Sequence, residues 1–168
     1  MKVVAAILGH PHARLALRLV LGVVFIAASL DKAQHPAAFA RIVSHYHVLT
    51  DETINAFALV VPWVELLAGL ALVVGLGSRG AALLVVGLVA LFTVALVSAV
   101  ARGIDISCGC FSTTLGEGHK VGYDLVARDI LMLVAAIPLV LRGGGTLSLD
   151  ERLRARGAAV PDGERSAS

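Results

Sequence analysis

Apolar residues along this chain come in long runs rather than in the strict alternation of a half-buried strand or the narrow stripe of a surface helix. Four runs approach the length of about 20 residues that crosses a hydrocarbon core about 30 Å thick. They cover approximately Arg14 to Leu30, Ala56 to Leu76, Ala81 to Ala101 and Val121 to Leu141. The second and third are the clearest; the first holds Arg18, and the fourth holds Arg128 and Asp129. The pattern predicts an all-α integral membrane protein, a four-helix bundle of up-and-down topology joined by short connections.

The polar punctuation between the runs divides the chain further. Asp31 to Asn55 reads as a connection with room for a short helix around Ala37 to Ser44. "LGSRG", Leu76 to Gly80, reads as a tight turn. Asp31-Lys32 follows the first run where a secretory leader would carry a small-residue cleavage site, so that run is expected to be a retained helix. One domain is expected over residues 1–145. In the tail, 146–168, Ser148 is placed to cap a short amphipathic helix bearing Leu149 and Leu153, with disorder expected beyond Pro161.

Composition agrees with the pattern. The 168 residues are 58% hydrophobic and 15% charged, with a mean hydropathy of +0.88, against about 45–50% apolar and about 25% charged in soluble domains. A net charge of +2 and the lack of a nucleic-acid motif argue against a polyanionic partner. Charge does set an orientation. With the N-terminus inside, Lys2, Arg14, Arg18, Arg79, Arg142, Arg152, Arg154, Arg156 and Arg165 lie inside, against Lys32, Arg41, Arg102, Lys120 and Arg128 outside. The positive-inside rule then places both N- and C-termini in the cytoplasm. The setting expected is a bacterial-type cytoplasmic (inner) membrane, with the connection after Ala101 on the extracytoplasmic side.

That connection carries the sequence's only cysteines, in "ISCGCFSTT". A disulfide tolerates a Cα separation of up to about 6.8 Å, so Cys108 and Cys110 can bond only if the chain turns between them. Gly109 permits the turn, because it reaches positive φ without a Cβ clash. The small ring would be strained, and strained disulfides are the labile, oxidising ones. Outside the cytoplasm such a bond persists. Two thiolates could instead hold a soft metal, although His119 is the only further ligand of suitable type in the loop. A third reading treats the pair as inert. No complete metal site is read from the chain.

Ionisable residues inside a span are costly unless paired or hydrated, which makes each a functional candidate. Glu65, in "VVPWVELLAGLALVVG", lies about 13 Å into its run and Arg128 about 10 Å into its own, at 1.5 Å per residue. The two are therefore expected to meet across the bundle. Asp129 turns about 100° away, which leaves it or Arg128 to find Lys32 or water. The pairing reads either as a structural ion pair or as a proton path or polar anchor for a ligand. Pro62 loosens the helix beside it. Trp63 reads as a packing or interface residue, or as a surface on which a ring-shaped ligand stacks. Gly69, Gly75 and Gly87 suit close helix packing, and His45 and His47 read as solvated surface.

Four blocks, "LVLGVVFIAASLDKAQHPAAF", "VVPWVELLAGLALVVG", "ARGIDISCGCFS" and "LVARDILMLVAAIPLVL", together resemble the MauE/DoxX-like family of redox-associated membrane proteins from about Arg18 to Leu153. The resemblance implies a four-helix membrane protein that handles thiols and disulfides outside the cytoplasm. The family is named for maturation of the disulfide-rich subunit of methylamine dehydrogenase, and many relatives act beside a thioredoxin-like domain. No such domain is read here, so a separate thioredoxin-like protein is the expected partner. The function expected is thiol–disulfide oxidoreduction, with Cys108 and Cys110 exchanging a disulfide with that partner and a membrane quinone as the other electron carrier. Lys32, Glu65, Arg128 and Asp129 form the expected proton path, and Trp63 and Phe111 the expected quinone contacts. The alternative is a soft-metal transporter or accessory membrane subunit.

Overall fold

The computed structural model describes residues 10–45, 50–102, 123–143 and 148. Cys108, Cys110, Phe111, His119 and the amphipathic helix expected in the tail lie outside the described residues, as does His47. The described residues are almost entirely helical and contain no strand. The elements are α1 (Pro11–Gln34), α2 (Pro36–His45), α3 (Asp51–Val74), α4 (Ser78–Ala101) and α5 (Tyr123–Arg142).

Local chemistry accounts for the boundaries. Pro11 opens α1, where its missing N–H is not needed. Pro36 ends it, since proline disfavours helical backbone at the residue before it, and His35 sits at φ −126°. The short helix expected around Ala37 to Ser44 is α2. Gly75 closes α3 in the left-handed conformation at φ 80°, and the Leu76 N–H reaches back to the Ala71 carbonyl at 3.0 Å. Gly77, also left-handed at φ 56°, restarts the chain as α4. The turn runs from Gly75 to Gly77, so of "LGSRG" only Leu76 and Gly77 belong to it and Ser78 is already helical.

α1, α3 and α4 are long and apolar enough to cross a membrane. The chain is an all-α, multi-pass membrane protein. α5 stands where the fourth span is expected; its 20 residues pack along α4, but Asp124, Arg128, Asp129 and Arg142 keep it outside that group. Burial follows the membrane pattern. Large aliphatic side chains such as Val20, Leu59, Leu67, Val94 and Leu131 point outward, while Ala68, Ala82, Ala99 and Ala136 fill the interior. Lipid is as apolar as leucine, so close backbone contact between helices holds such a bundle together.

α1 and α3 approach each other at backbone distance. A Cβ placed on Gly22 would lie 2.9 Å from the Gly69 carbonyl oxygen, and one on Gly69 would lie 2.9 Å from the Gly22 carbonyl oxygen. Gly87 is different: nothing lies within 4 Å of an added Cβ. It takes no part in close packing, contrary to the sequence expectation, and Gly75 serves as a helix cap. Opposite mutational signs follow. Gly22→Ala is expected to cost about 1–3 kcal/mol through overpacking against backbone, whereas Gly87→Ala should gain up to about 1 kcal/mol of helix propensity. Unfolding midpoints in detergent check both.

Residue pairs set the helix directions. Gly22 with Gly69 and Lys32 with Glu65 run α1 against α3, while Thr93 with Asp129 and Arg79 with Gly143 run α4 against α5. The end of α1, the start of α3, Arg102 and the start of α5 therefore share one end of the bundle with α2. The opposite end gathers Arg14, Arg18, Arg79 and Arg142; there Arg14 donates to the Arg142 carbonyl at 3.1 Å and caps α5.

Candidate functional site

α1 continues one turn past the apolar run that announces it, so Lys32 is still helical and faces inward. Leu21, Phe25, Ala28 and Lys32 recur at spacings of four, three and four, and all four are buried on one helix face. Opposite, on α3, stands Glu65. The Lys32 ammonium donates to both carboxylate oxygens, at 2.8 Å to Oε1 and 2.7 Å to Oε2. Lys32 is 1% exposed and Glu65 3%.

This corrects the pairing read from the sequence. Glu65 meets Lys32, and Arg128 turns to its neighbour Asp129, with Nη2 donating to Oδ1 at 3.1 Å. Counting residues gives depth along a helix, but not the direction in which each side chain points. Asp129 shares a face with the partly buried Met132 and with the buried Ala136 and Leu139, so it points inward at 2% exposure. Arg128, one residue earlier, emerges at 32%. Two ion pairs result, Lys32–Glu65 in the interior and Asp129–Arg128 leading from the interior to the surface.

An aromatic cluster covers the ammonium. Phe39 of α2, Phe57 of α3 and Phe92 of α4 pack with ring centroids 6.3–6.4 Å apart. The Lys32 Nζ lies 5.5 Å from the Phe39 ring centroid and 5.2 Å from that of Phe92, within cation–π range. Phe39 is fully buried, so α2 acts as the cover of the site; Val43, Ile54, Ala58 and Val61 complete that second core. Sequence reasoning does not single out Phe39, Phe57, Phe92 or Thr93. The four-residue spacing of Phe39 and Val43 on an amphipathic helix is the available signal.

Below the aromatic cluster is a small, mostly apolar cavity of about 20 Å³ lined by Phe25, Ala28, Lys32, Glu65, Val89, Phe92, Asp129 and Met132. Thr93 donates to the Val89 carbonyl at 2.7 Å and lies 3.4 Å from Asp129 Oδ2. The site thus brings together three of the four predicted polar residues around one space, with Arg128 attached through Asp129. Trp63 is 57% exposed on the outer face of α3 and does not line the cavity. Pro62 is buried within a continuous α3. Among the described residues, no group of three or more His, Cys, Asp or Glu is arranged to hold a metal ion.

Paired charges set inside an apolar bundle can store and pass a proton, or anchor a polar ligand. Comparison with known proteins places this architecture. No solved structure matches the chain. Among curated proteins, one named Methylamine utilization protein MauE from Paracoccus denitrificans is 34% identical over 148 residues, 82% of this chain and 78% of the relative. Its namesake in Methylorubrum extorquens is 33% identical over 137 residues, 81% of this chain and 73% of the relative. Another, from Methylophilus methylotrophus, is 29% identical over 161 residues, 92% and 83% respectively. The family profile described as Methylamine utilisation protein MauE matches residues 6–142, which takes in all five helices, and the chain therefore belongs to the MauE family.

Proposed function

We propose that this protein is a membrane thiol–disulfide redox protein whose Cys108-Gly109-Cys110 pair exchanges a disulfide with a separate, extracytoplasmic thioredoxin-like protein. Family membership carries the reading, together with a single C-x-C motif in a chain that has no other cysteine. The relatives' name ties them to methylamine utilisation, and the client proposed for this chain is a disulfide-bearing protein outside the cytoplasm. Arg102 and the start of α5, which flank the cysteine segment, stand at the same end of the bundle as the cover of the polar site.

In the direction that oxidises the partner, a partner thiolate attacks one sulfur of the Cys108–Cys110 disulfide and the other sulfur leaves as thiolate. The partner's second thiolate then breaks the mixed disulfide, leaving an oxidised partner and two reduced cysteines. A lipid quinone supplies the sink for the two electrons released when the disulfide re-forms. Trp63 is exposed on the lipid-facing side of α3, and the quinone is placed against it. The polar site formed by Lys32, Glu65 and Asp129 then serves the protons that accompany quinone chemistry.

The full chain in liposomes containing quinone is expected to oxidise a reduced thioredoxin-like protein catalytically, and to stall after one turnover when quinone is left out. Turnover that ignores quinone would remove that carrier. Activity also requires the cysteines to face outward in an inner membrane. Reduced Cys108 and Cys110 should react with a membrane-impermeant thiol reagent applied to the extracytoplasmic side; reaction only after the membrane is opened would reverse the orientation and sink the exchange reading.

A further inference from the structure

We propose that the tail folds back over the arginine-bearing end of the bundle and seats the Asp150 carboxylate on the buried guanidinium of Arg18. The seat is an interaction surface separate from the Lys32–Glu65 site, and its test involves neither a thiol nor a quinone.

The described residues fix where the tail leaves the bundle and where it returns. α5 gives way to Gly143, left-handed at φ 77° and beside Arg79 of α4. Five residues later Ser148 is 4% exposed and lies against the turn between α3 and α4. A Cβ built on Gly75 would stand 2.9 Å from the Ser148 Cα and 3.0 Å from the Arg18 Cζ, so the tail backbone and the guanidinium meet at one glycine.

Charge then selects the partner. Arg18 is 2% exposed, and a charge taken that far out of water is retained where a counter-charge and hydrogen bonds meet it. Among the described carboxylates, Glu65 and Asp129 are engaged by Lys32 and Arg128. Asp31, Asp51, Glu52 and Asp124 belong to helix ends at the opposite end of the bundle. The first carboxylates beyond Ser148 are Asp150 and Glu151. Two residues of chain span at most about 7 Å, which keeps Asp150 within reach of the guanidinium.

Spacing separates the two acids. Ser148-Leu149-Asp150-Glu151 has the form of a capping box, in which the residue at the Glu151 position turns back to the N–H of the capping serine. Asp150 is left to face the arginine, whose paired N–H donors match the two oxygens of a carboxylate. In the first turn of a helix capped by Ser148, that carboxylate also meets the positive end of the helix dipole. The tail so placed is a strap that ties α1 to α5 across the turn between α3 and α4.

Hydrogen–deuterium exchange of the full chain in detergent micelles, followed by mass spectrometry, reads the strap directly. The amides of residues 149–156 are expected to be protected in the wild type. Asp150→Asn and Arg18→Gln should each speed their exchange roughly tenfold, and the double variant no further, because either change removes the same contact. Glu151→Gln keeps the capping box and should leave protection in place. Asp150→Asn and Glu151→Gln alter only the tail and carry the test if Arg18→Gln does not fold.

Unprotected tail amides in the wild type, or additive effects of the Asp150 and Arg18 changes, overturn the proposal. So does protection lost in Glu151→Gln and kept in Asp150→Asn. The other anion at hand at a membrane surface is a lipid phosphate. Lipid, not the tail, is seated on Arg18 if exchange ignores Asp150→Asn while phosphatidylglycerol, replacing phosphatidylcholine in nanodiscs, raises the unfolding midpoint of the wild type but not of Arg18→Gln.

Discussion

Replacing Glu65 with Gln is expected to destabilise the bundle by about 3–5 kcal/mol, because it strands the buried Lys32 ammonium, whose hydrogen bonds both go to that carboxylate. The aromatic rings above cannot substitute, since a desolvated cation–π contact contributes about 2 kcal/mol and is already present. Lys32→Met should cost a similar amount by stranding the carboxylate. Combining Lys32→Met with Glu65→Leu puts apolar groups of similar volume in place of both charges and should recover most of the loss. Unfolding midpoints in detergent measure all three proteins.

A double-mutant cycle locates the partner: strong coupling is expected between positions 65 and 32, and weak coupling between 65 and 128, whose side chain lies on Asp129. Coupling of 65 to 128 alone would contradict the observed pairing. Folding recovered without electron transfer assigns the pair a functional role; recovery of both reduces it to architecture.

Changing Cys110 to Ser is expected to accumulate a covalent adduct with a thioredoxin-like protein, visible on a non-reducing gel and removed by reductant. Disulfide exchange needs a second thiol to resolve the mixed disulfide, and its loss traps the intermediate. Cys110 is assigned the resolving role because Phe111 and the segment returning to α5 follow it. Cys108→Ser should give little adduct and no turnover. A metal site behaves otherwise, since either change halves the thiolate ligands and lowers bound metal without trapping a protein. Stoichiometric metal in the wild type with no adduct from either variant would replace the redox assignment by the soft-metal alternative.

Segments were legible where one stretch of chain decides the outcome. The runs of apolar residues marked α1, α3 and α4, the polar stretch after Leu30 left room for α2, and the glycines of "LGSRG" marked the turn between α3 and α4, all through effects confined to a few residues. Charged residues in or just past the apolar runs likewise raised Glu65, Arg128, Asp129 and Lys32 as candidates for one polar site.

The glycines show the limit of such reading. Gly22, Gly69, Gly75 and Gly87 look alike in an apolar sequence, yet two form a backbone contact, one is a cap and one faces open space.

Partner choice for Glu65 was equally beyond the sequence, and for the same physical reason. Depth along a helix is a count of residues at 1.5 Å each, and that count alone put Glu65 and Arg128 at comparable depth in their runs. Which side chains meet depends on how each helix is rotated and which neighbour it approaches, and a step of one residue turns a side chain by about 100°. Contact of Gly22 with Gly69 brings α1 against α3, the extra turn of α1 carries Lys32 to the level of Glu65, and packing of Met132, Ala136 and Leu139 turns Asp129 inward and Arg128 out. Hydropathy and local caps thus determined by themselves that this is a helical membrane protein with charges in its spans. Only the packing of one helix on another, a property of pairs of faces and not of any segment, decided that those charges form a Lys32–Glu65 pair that lines one small cavity with Asp129.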